Sequence, residues 1–189
     1  MRQSLLSRFS KRLTLISTGK IAVIALVIFL LFTMLVLPDQ AARAEQAAGT
    51  AESPDTSFFY SAQDLYRIAE EYGEQGRSAY IRARFTFDII WPVVYSVFLL
   101  TAAGWLGSRL FSESRWSLLN LVPLLGTLFD FLENVGASLV FARFPDTSPI
   151  LGMLTPVFTL LKWVFLSVGF LIIIFEAAAV LWRKLSKSI

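Results

Sequence analysis

The chain has 189 residues, 56% of them hydrophobic, with 17 Lys and Arg against 14 Asp and Glu, and its mean hydropathy is +0.63. The basic residues cluster beside long apolar blocks, so the net charge of +3 speaks for membrane orientation rather than for nucleic acid. Neither Cys nor His is present, which excludes disulfides, thiolate and His-ligated metal sites and Ser-His-Asp catalysis, and leaves any chemistry to Asp, Glu, Lys, Arg, Tyr, Ser or a bound ion.

Residues 1–20 form a basic N-terminus with Arg2, Arg8, Lys11, Arg12 and Lys20. Ile21 to Leu37 carries no charge, and its 17 residues are near the lower limit for crossing ~30 Å of hydrocarbon. The basic start, the apolar run and Ala42-Arg43-Ala44 also fit a cleaved signal. The run exceeds the usual apolar core of about 7–15 residues, which favours a retained first span. Residues 38–57, rich in Ala with Pro, Gly, Ser, Thr and acidic residues, read as a flexible linker. A short amphipathic helix is predicted over Ala62 to Tyr72, with Ser61 as N-cap and Gly73 as stop; Leu65, Ile68, Ala69 and Tyr72 share one face. Capping the bundle is favoured for it over lying in the membrane interface. A second helical stretch from about Gly76 is expected to run directly into the second span, with Arg84 and Asp88 four apart and able to pair.

Three further apolar segments follow. The second span runs from about Phe85 to Gly107 and is charge-free from Ile89 to Ser108. The third runs from about Leu118 to Ala142 and carries Asp130, Glu133 and Asn134. The fourth runs from about Pro156 to Trp182 and carries Lys162 and Glu176, with Thr155 read as N-cap and Pro156 as the first helical residue. Lipid cannot satisfy exposed backbone polar groups, so helices are the expected spanning form. The fold expected is all-α: a four-span transmembrane helix bundle with a short amphipathic outer helix between spans one and two. Its parts are the basic terminus (1–20), the first span (21–37), an extracytoplasmic linker and helix (38–84), a three-helix core (85–182) and a tail (183–189). Arg109 and Arg115, between spans two and three, and Arg183, Lys184 and Lys187, in the tail, share a side with the basic N-terminus. The positive-inside rule makes that side cytoplasmic, although Arg43, Arg67, Arg77, Arg82 and Arg84 lie opposite among acidic residues that include Glu52 and Asp55. Trp91 and Trp163 at outer span ends, and Trp105, Trp116 and Trp182 at inner ones, read as interfacial belts.

Charges inside spans mark the candidate site. Asp130, Glu133 and Asn134 share one face of span three, and Ser138 extends it. Asp88, Trp91, Pro92 and Tyr95 share a side of span two. Lys162 on span four is placed to pair with Asp130 or Glu133, whereas Glu176 has no evident partner. Two carboxylates one turn apart in low dielectric require a proton or a cation between them. The expected polar cluster is therefore Asp88, Tyr95, Asp130, Glu133, Asn134 and Lys162. As structure it fixes helix register; as a site it opens toward the outer leaflet for a proton, a cation or a polar headgroup. No cofactor and no metal are expected, since no phosphate loop, metal-ligand spacing or nucleophile motif occurs.

Asp88-Ile-Ile-Trp91-Pro92-Val-Val-Tyr95, with Pro123 and Asp130-Phe-Leu-Glu133-Asn134 and the preceding Gly76-Arg77-Ser78-Ala79-Tyr80, is similar to a group of small four-helix integral membrane proteins of bacteria. The likeness covers roughly residues 60–170. It implies a bacterial plasma membrane and one shared site, and it brings no reaction with it. Three function classes stay open. The favoured one is a non-catalytic scaffold, assembly or interaction subunit. The second is a membrane enzyme or a lipid- or small-molecule-binding protein, with Asp130 or Glu133 as acid or base and Tyr95 and Lys162 stabilising charge. The third is a small proton- or cation-coupled transporter, for which four spans are few and no internal repeat is evident. The expected partners are membrane lipids and either a membrane protein or a second copy of the chain; nucleic acid is not among them.

Overall fold

The computed structural model describes residues 5–49, 53–54, 57–111 and 115–186, without the side chains of 115–117. Arg2, Glu52, Asp55 and Lys187, and the side chains of Arg115 and Trp116, bear on the charge and belt readings and lie outside the described residues. The elements in chain order are α1 (Leu5–Ile16), α2 (Gly19–Leu31), a π-helical turn (Phe32–Val36), α3 (Leu37–Ala48), α4 (Ala62–Glu71), α5 (Gly73–Arg84), α6 (Phe87–Leu110), a 3-10 segment (Arg115–Leu121), α7 (Val122–Arg143) and α8 (Pro149–Ser186). No strand occurs among the described residues. Four stretches are long and apolar enough to cross a membrane: Gly19–Ala48, Gly73–Leu110, Leu118–Arg143 and Pro149–Ser186. The protein is an all-α, multi-pass membrane bundle.

Several boundaries differ from those expected, each for a local reason. The basic N-terminus folds as α1 over Leu5–Ile16. Residues 38–48 are helical rather than flexible linker, because the stretch is built on Ala, the best helix former. Pro38 is accommodated by the π turn before it. There the Leu37 N–H reaches back to the Phe32 carbonyl, and the wider turn relieves the contact that a proline ring makes with the carbonyl four residues earlier. Helix α5 does not run unbroken into span two: Phe85 and Thr86 form a turn before α6. Span three begins as a 3-10 segment and becomes α-helical at Val122, so Pro123 sits in the first turn, where no N–H is needed. Helix α8 starts at Pro149 and passes through Pro156. Thr155 is therefore not an N-cap; its hydroxyl donates to the Leu151 carbonyl at 2.8 Å, inside the helix.

The chain divides into two compact units. The first takes residues 1–30, 94–125 and 165–189. Phe29 stacks on Phe98 at 5.0 Å and lies 6.1 Å from Phe170, tying α2, α6 and α8. Close helix approach here depends on small residues. A Cβ on Gly104 would stand 2.7 Å from Ser17 Oγ, and Gly19 admits the Trp105 ring. Tyr95, Leu99 and Ala103 are buried in this unit.

The second unit takes residues 31–93 and 126–164. Its core is aromatic. Tyr80 stacks on Phe141 at 4.2 Å, and Tyr72 meets both rings edge-on. Leu65, Ile68 and Ala69 of α4 pack into it with Ala137 and Val140 of α7. The amphipathic face of α4 is thus spent on covering this core. Two tryptophans expected in the belts are also partly taken up by packing: Trp91 stacks on Phe32 and Trp163 lies against Phe58. Trp182, by contrast, is 73% exposed.

Helix α4 begins in a reciprocal cap. The Asp64 N–H donates to Ser61 Oγ at 3.2 Å, and the Ser61 N–H donates to Asp64 Oδ2 at 2.9 Å. Ser61 Oγ also donates to the same carboxylate oxygen at 2.7 Å. The Ser61 hydroxyl, then its N–H, hold the Asp64 carboxyl below the usual Asp range. A group depressed in the folded state stabilises above its unfolded value, and that contribution is lost as pH falls through the lowered folded value. The first turn of α4 is therefore expected to lose hydrogen-exchange protection below the ordinary Asp range. Ser61→Ala should likewise lower that protection at neutral pH; unchanged protection in both conditions would count against the cap.

Candidate functional site

The polar residues of the second unit gather from α5, α6, α7 and α8. Arg84, in the last turn of α5, reaches across the Phe85–Thr86 turn to Asp88 Oδ2 at 3.0 Å. The expected pair is therefore present, with side chains only 8% and 14% exposed. The same guanidinium lies over the Tyr80 ring at 4.3 Å, a cation–π contact, and donates to Asn134 Oδ1 at 3.4 Å. Asn134 in turn donates through Nδ2 to the Asp88 carbonyl at 3.2 Å and to Asp130 Oδ1 at 3.3 Å. It is the joint between α6 and α7, because an amide offers donors and an acceptor on one planar group.

A second ion pair completes the cluster. Lys162 Nζ of α8 meets Glu133 Oε2 of α7. Both side chains are buried, 6% and 1% exposed. Lys162 thus pairs with Glu133, one of the two carboxylates the sequence offered it. Asp130, Glu133 and Asn134 occupy one face of α7, as their spacing requires, and all three are buried. Helices α7 and α8 approach closely one turn further along. Gly136 faces Thr155, where a Cβ would stand 2.5 Å from Thr155 Oγ1. Beside this seam the Tyr60 hydroxyl and Thr159 Oγ1 are 2.8 Å apart.

Five of the six residues expected in the cluster, Asp88, Asp130, Glu133, Asn134 and Lys162, belong to the second unit. The sixth, Tyr95, belongs to the first unit, where it is buried. Arg84 joins the cluster although it was read only as an outer-edge partner of Asp88; its spacing from Asp88 was the available signal. The Thr155, Thr159 and Tyr60 contacts carried none, because their register depends on how α8 begins.

Two other features bear on chemistry. A surface groove of about 450 Å³ lies against α4, between Tyr66, Arg67, Glu70, Phe144 and Pro149. The Tyr66 hydroxyl clamps its rim, accepting from the Ser148 N–H at 2.7 Å. In the first unit, Glu176 is 2% exposed. It presses on Gly107, where a Cβ would stand 3.0 Å from Oε1, and it borders a cavity of about 20 Å³ with Thr14, Ser108 and Asn120. That is room for one water molecule among polar partners. Among the described residues no group of three or more Asp and Glu stands close enough to hold a metal ion.

Comparison of the chain with protein-family models, with curated proteins and with solved structures finds no match.

Proposed function

We propose that the protein is a non-catalytic scaffold, assembly or interaction subunit of a bacterial plasma membrane, with both termini cytoplasmic. The carrying observation is that buried charges of the second unit join helices: Arg84 with Asp88, and Lys162 with Glu133, with Asn134 linking Asp88 and Asp130. Polar groups that hydrogen-bond between helices specify packing in lipid, where apolar contact alone discriminates little. The bacterial membrane rests on the D-x-x-W-P-x-x-Y and D-x-x-E-N resemblance. The orientation rests on the basic residues in 1–20, 109–115 and 183–187. Its partners on this reading are membrane lipids and a membrane protein or a second copy of the chain.

One observation favours a second reading. The cluster counts three carboxylates, Asp88, Asp130 and Glu133, against two cations, Arg84 and Lys162. Carboxylates gathered on and beside one helix face are what a proton- or cation-linked role would use, in a transporter or in an enzyme with Asp130 or Glu133 as acid or base. Asp130→Asn and Glu133→Gln keep shape and remove charge. Complementation of a strain lacking the protein is expected to follow the amount of folded variant across this series, and a stoichiometric membrane partner is expected to co-purify with the native chain. A variant that accumulates to the native level and yet fails to complement would reject the scaffold reading in favour of the charge-linked one.

A further inference from the structure

Helix α1 precedes the first candidate span with only Ser17 and Thr18 between them. Its residues sort into three stripes. The first is small and polar: Ser10 is buried, Ser7 and Thr14 are half-buried, and the buried Ser17 just past the helix end continues it. Ser10 Oγ donates to Asn120 Oδ1 at 2.9 Å. Asn120 Nδ2 returns bonds to the Ser10 carbonyl at 3.3 Å and to Thr14 Oγ1 at 3.2 Å. The second stripe is apolar. Leu5, Leu6, Phe9 and Ile16 fall within about 100° of arc at about 100° per residue, and they are 81%, 63%, 47% and 61% exposed; Leu15, also exposed, stands among the basic residues. The third is basic: Arg8, Lys11 and Arg12, all exposed.

This reverses what a helix of a water-soluble protein does, where the apolar stripe is the one that packs. Here the polar seam docks the helix, and five large apolar side chains, Leu15 among them, are left outward. The covering medium is indicated by the chain itself. Ile21, Val23 and Ile24 at the start of α2 are exposed in the same way, and in a span that exposure is met by lipid. The medium that surrounds α2 therefore reaches α1, and the three cations beside the apolar stripe complement an anionic surface.

We propose that α1 is an interfacial helix that binds anionic phospholipid around the first span, with Leu5, Leu6, Phe9 and Ile16 at the acyl boundary and Arg8, Lys11 and Arg12 on headgroup phosphates. Amphipathic helices with this division of faces lie in the plane of the interface. Each basic residue near an anionic leaflet is worth about fivefold in binding, so Arg8 and Arg12 alone give about a twenty-fivefold preference over a neutral surface. The proposal goes beyond the scaffold reading and requires α2 to be a span, whichever way the chain is oriented.

The chain has no cysteine, so Phe9→Cys or Lys11→Cys in the full-length protein gives a unique position for an environment-sensitive fluorophore. Vesicles of phosphatidylcholine, alone or with phosphatidylglycerol in both leaflets, make the readout independent of orientation. The probe at position 9 should be several-fold less accessible to acrylamide than the probe at position 11. Its protection should rise with phosphatidylglycerol, and R8Q/K11Q/R12Q should remove that rise while leaving the unfolding midpoint unchanged. Should that triple variant fail to fold, added salt screens the same charges on the native sequence and must remove the same rise. Equal quenching at the two positions, or protection indifferent to phosphatidylglycerol, overturns the proposal. So does protection at position 9 that arises only when a second protein is added.

Discussion

Lys162→Met should be among the most damaging single substitutions in this chain, lowering stability by ~3–5 kcal/mol. The side chain is 6% exposed and its partner Glu133 is 1% exposed. Removing the cation leaves a carboxylate buried between α7 and α8 with its counter-charge gone. In low dielectric the loss of a partner costs far more than the pair contributed, because the remaining charge keeps its desolvation penalty. The same logic makes the reciprocal Glu133→Met comparably harmful, since a buried ammonium is then left behind. Replacing both residues together should recover most of the loss, since well-packed apolar residues of similar volume often match a buried ion pair. Reversible unfolding in lipid bicelles measures all three. A Lys162→Met cost within about 0.5 kcal/mol, the range of a neutral surface substitution, would mean that the pair is not buried as described.

Gly136→Leu is the second large effect expected. The glycine lies on α7 against α8, and even a single Cβ there would stand 2.5 Å from Thr155 Oγ1 and 3.4 Å from its Cβ. Thr155 is fully buried and β-branched, so its rotamer is restricted, and its hydroxyl is already bonded to the Leu151 carbonyl. Neither partner can yield locally, so the helices must separate. Over-packing of this kind costs ~1–3 kcal/mol. A leucine should reach the top of that range and loosen the Glu133–Lys162 pair as well, because that pair spans the same two helices. Gly136→Ala is expected to be milder, and Gly136→Ala with Thr155→Ser milder still, since serine can swing its hydroxyl aside. The ordering is read from thermal unfolding of the four proteins; an unaffected Gly136→Leu would show that α7 and α8 do not meet here.

Much of the fold is legible from hydropathy. Four apolar runs gave four candidate spans because an uninterrupted apolar stretch has few other uses at that length. The helical face of Asp130, Glu133 and Asn134 follows from spacing alone, as does the Arg84–Asp88 pair, since i, i+3 and i, i+4 neighbours are fixed by helix geometry. Boundaries were harder, because they depend on what proline does in context. Pro156 suggested a helix start, yet α8 begins seven residues earlier at Pro149 and carries Pro156 internally. Pro38 suggested a linker, yet a π turn absorbs it and the Ala-rich stretch continues as helix. Helix α1 was hidden by its basic charge: its polar seam is recognisable only once Asn120 is known to face Ser10. That Lys162 meets Glu133 depends on the rotation of α8, which no local pattern encodes.

The central claim is that the buried charges of the second unit hold helices together. A double-mutant cycle across Glu133 and Lys162, run in bicelles and paired with complementation, tests it most directly. The prediction is a coupling energy of at least ~5 kcal/mol, the size needed for two single costs of ~3–5 kcal/mol each to be largely recovered, with the double replacement by methionine close to native both in stability and in complementation. Additive single costs would contradict the pairing, and a double variant that is stable but does not complement would contradict the claim that the cluster's work is structural.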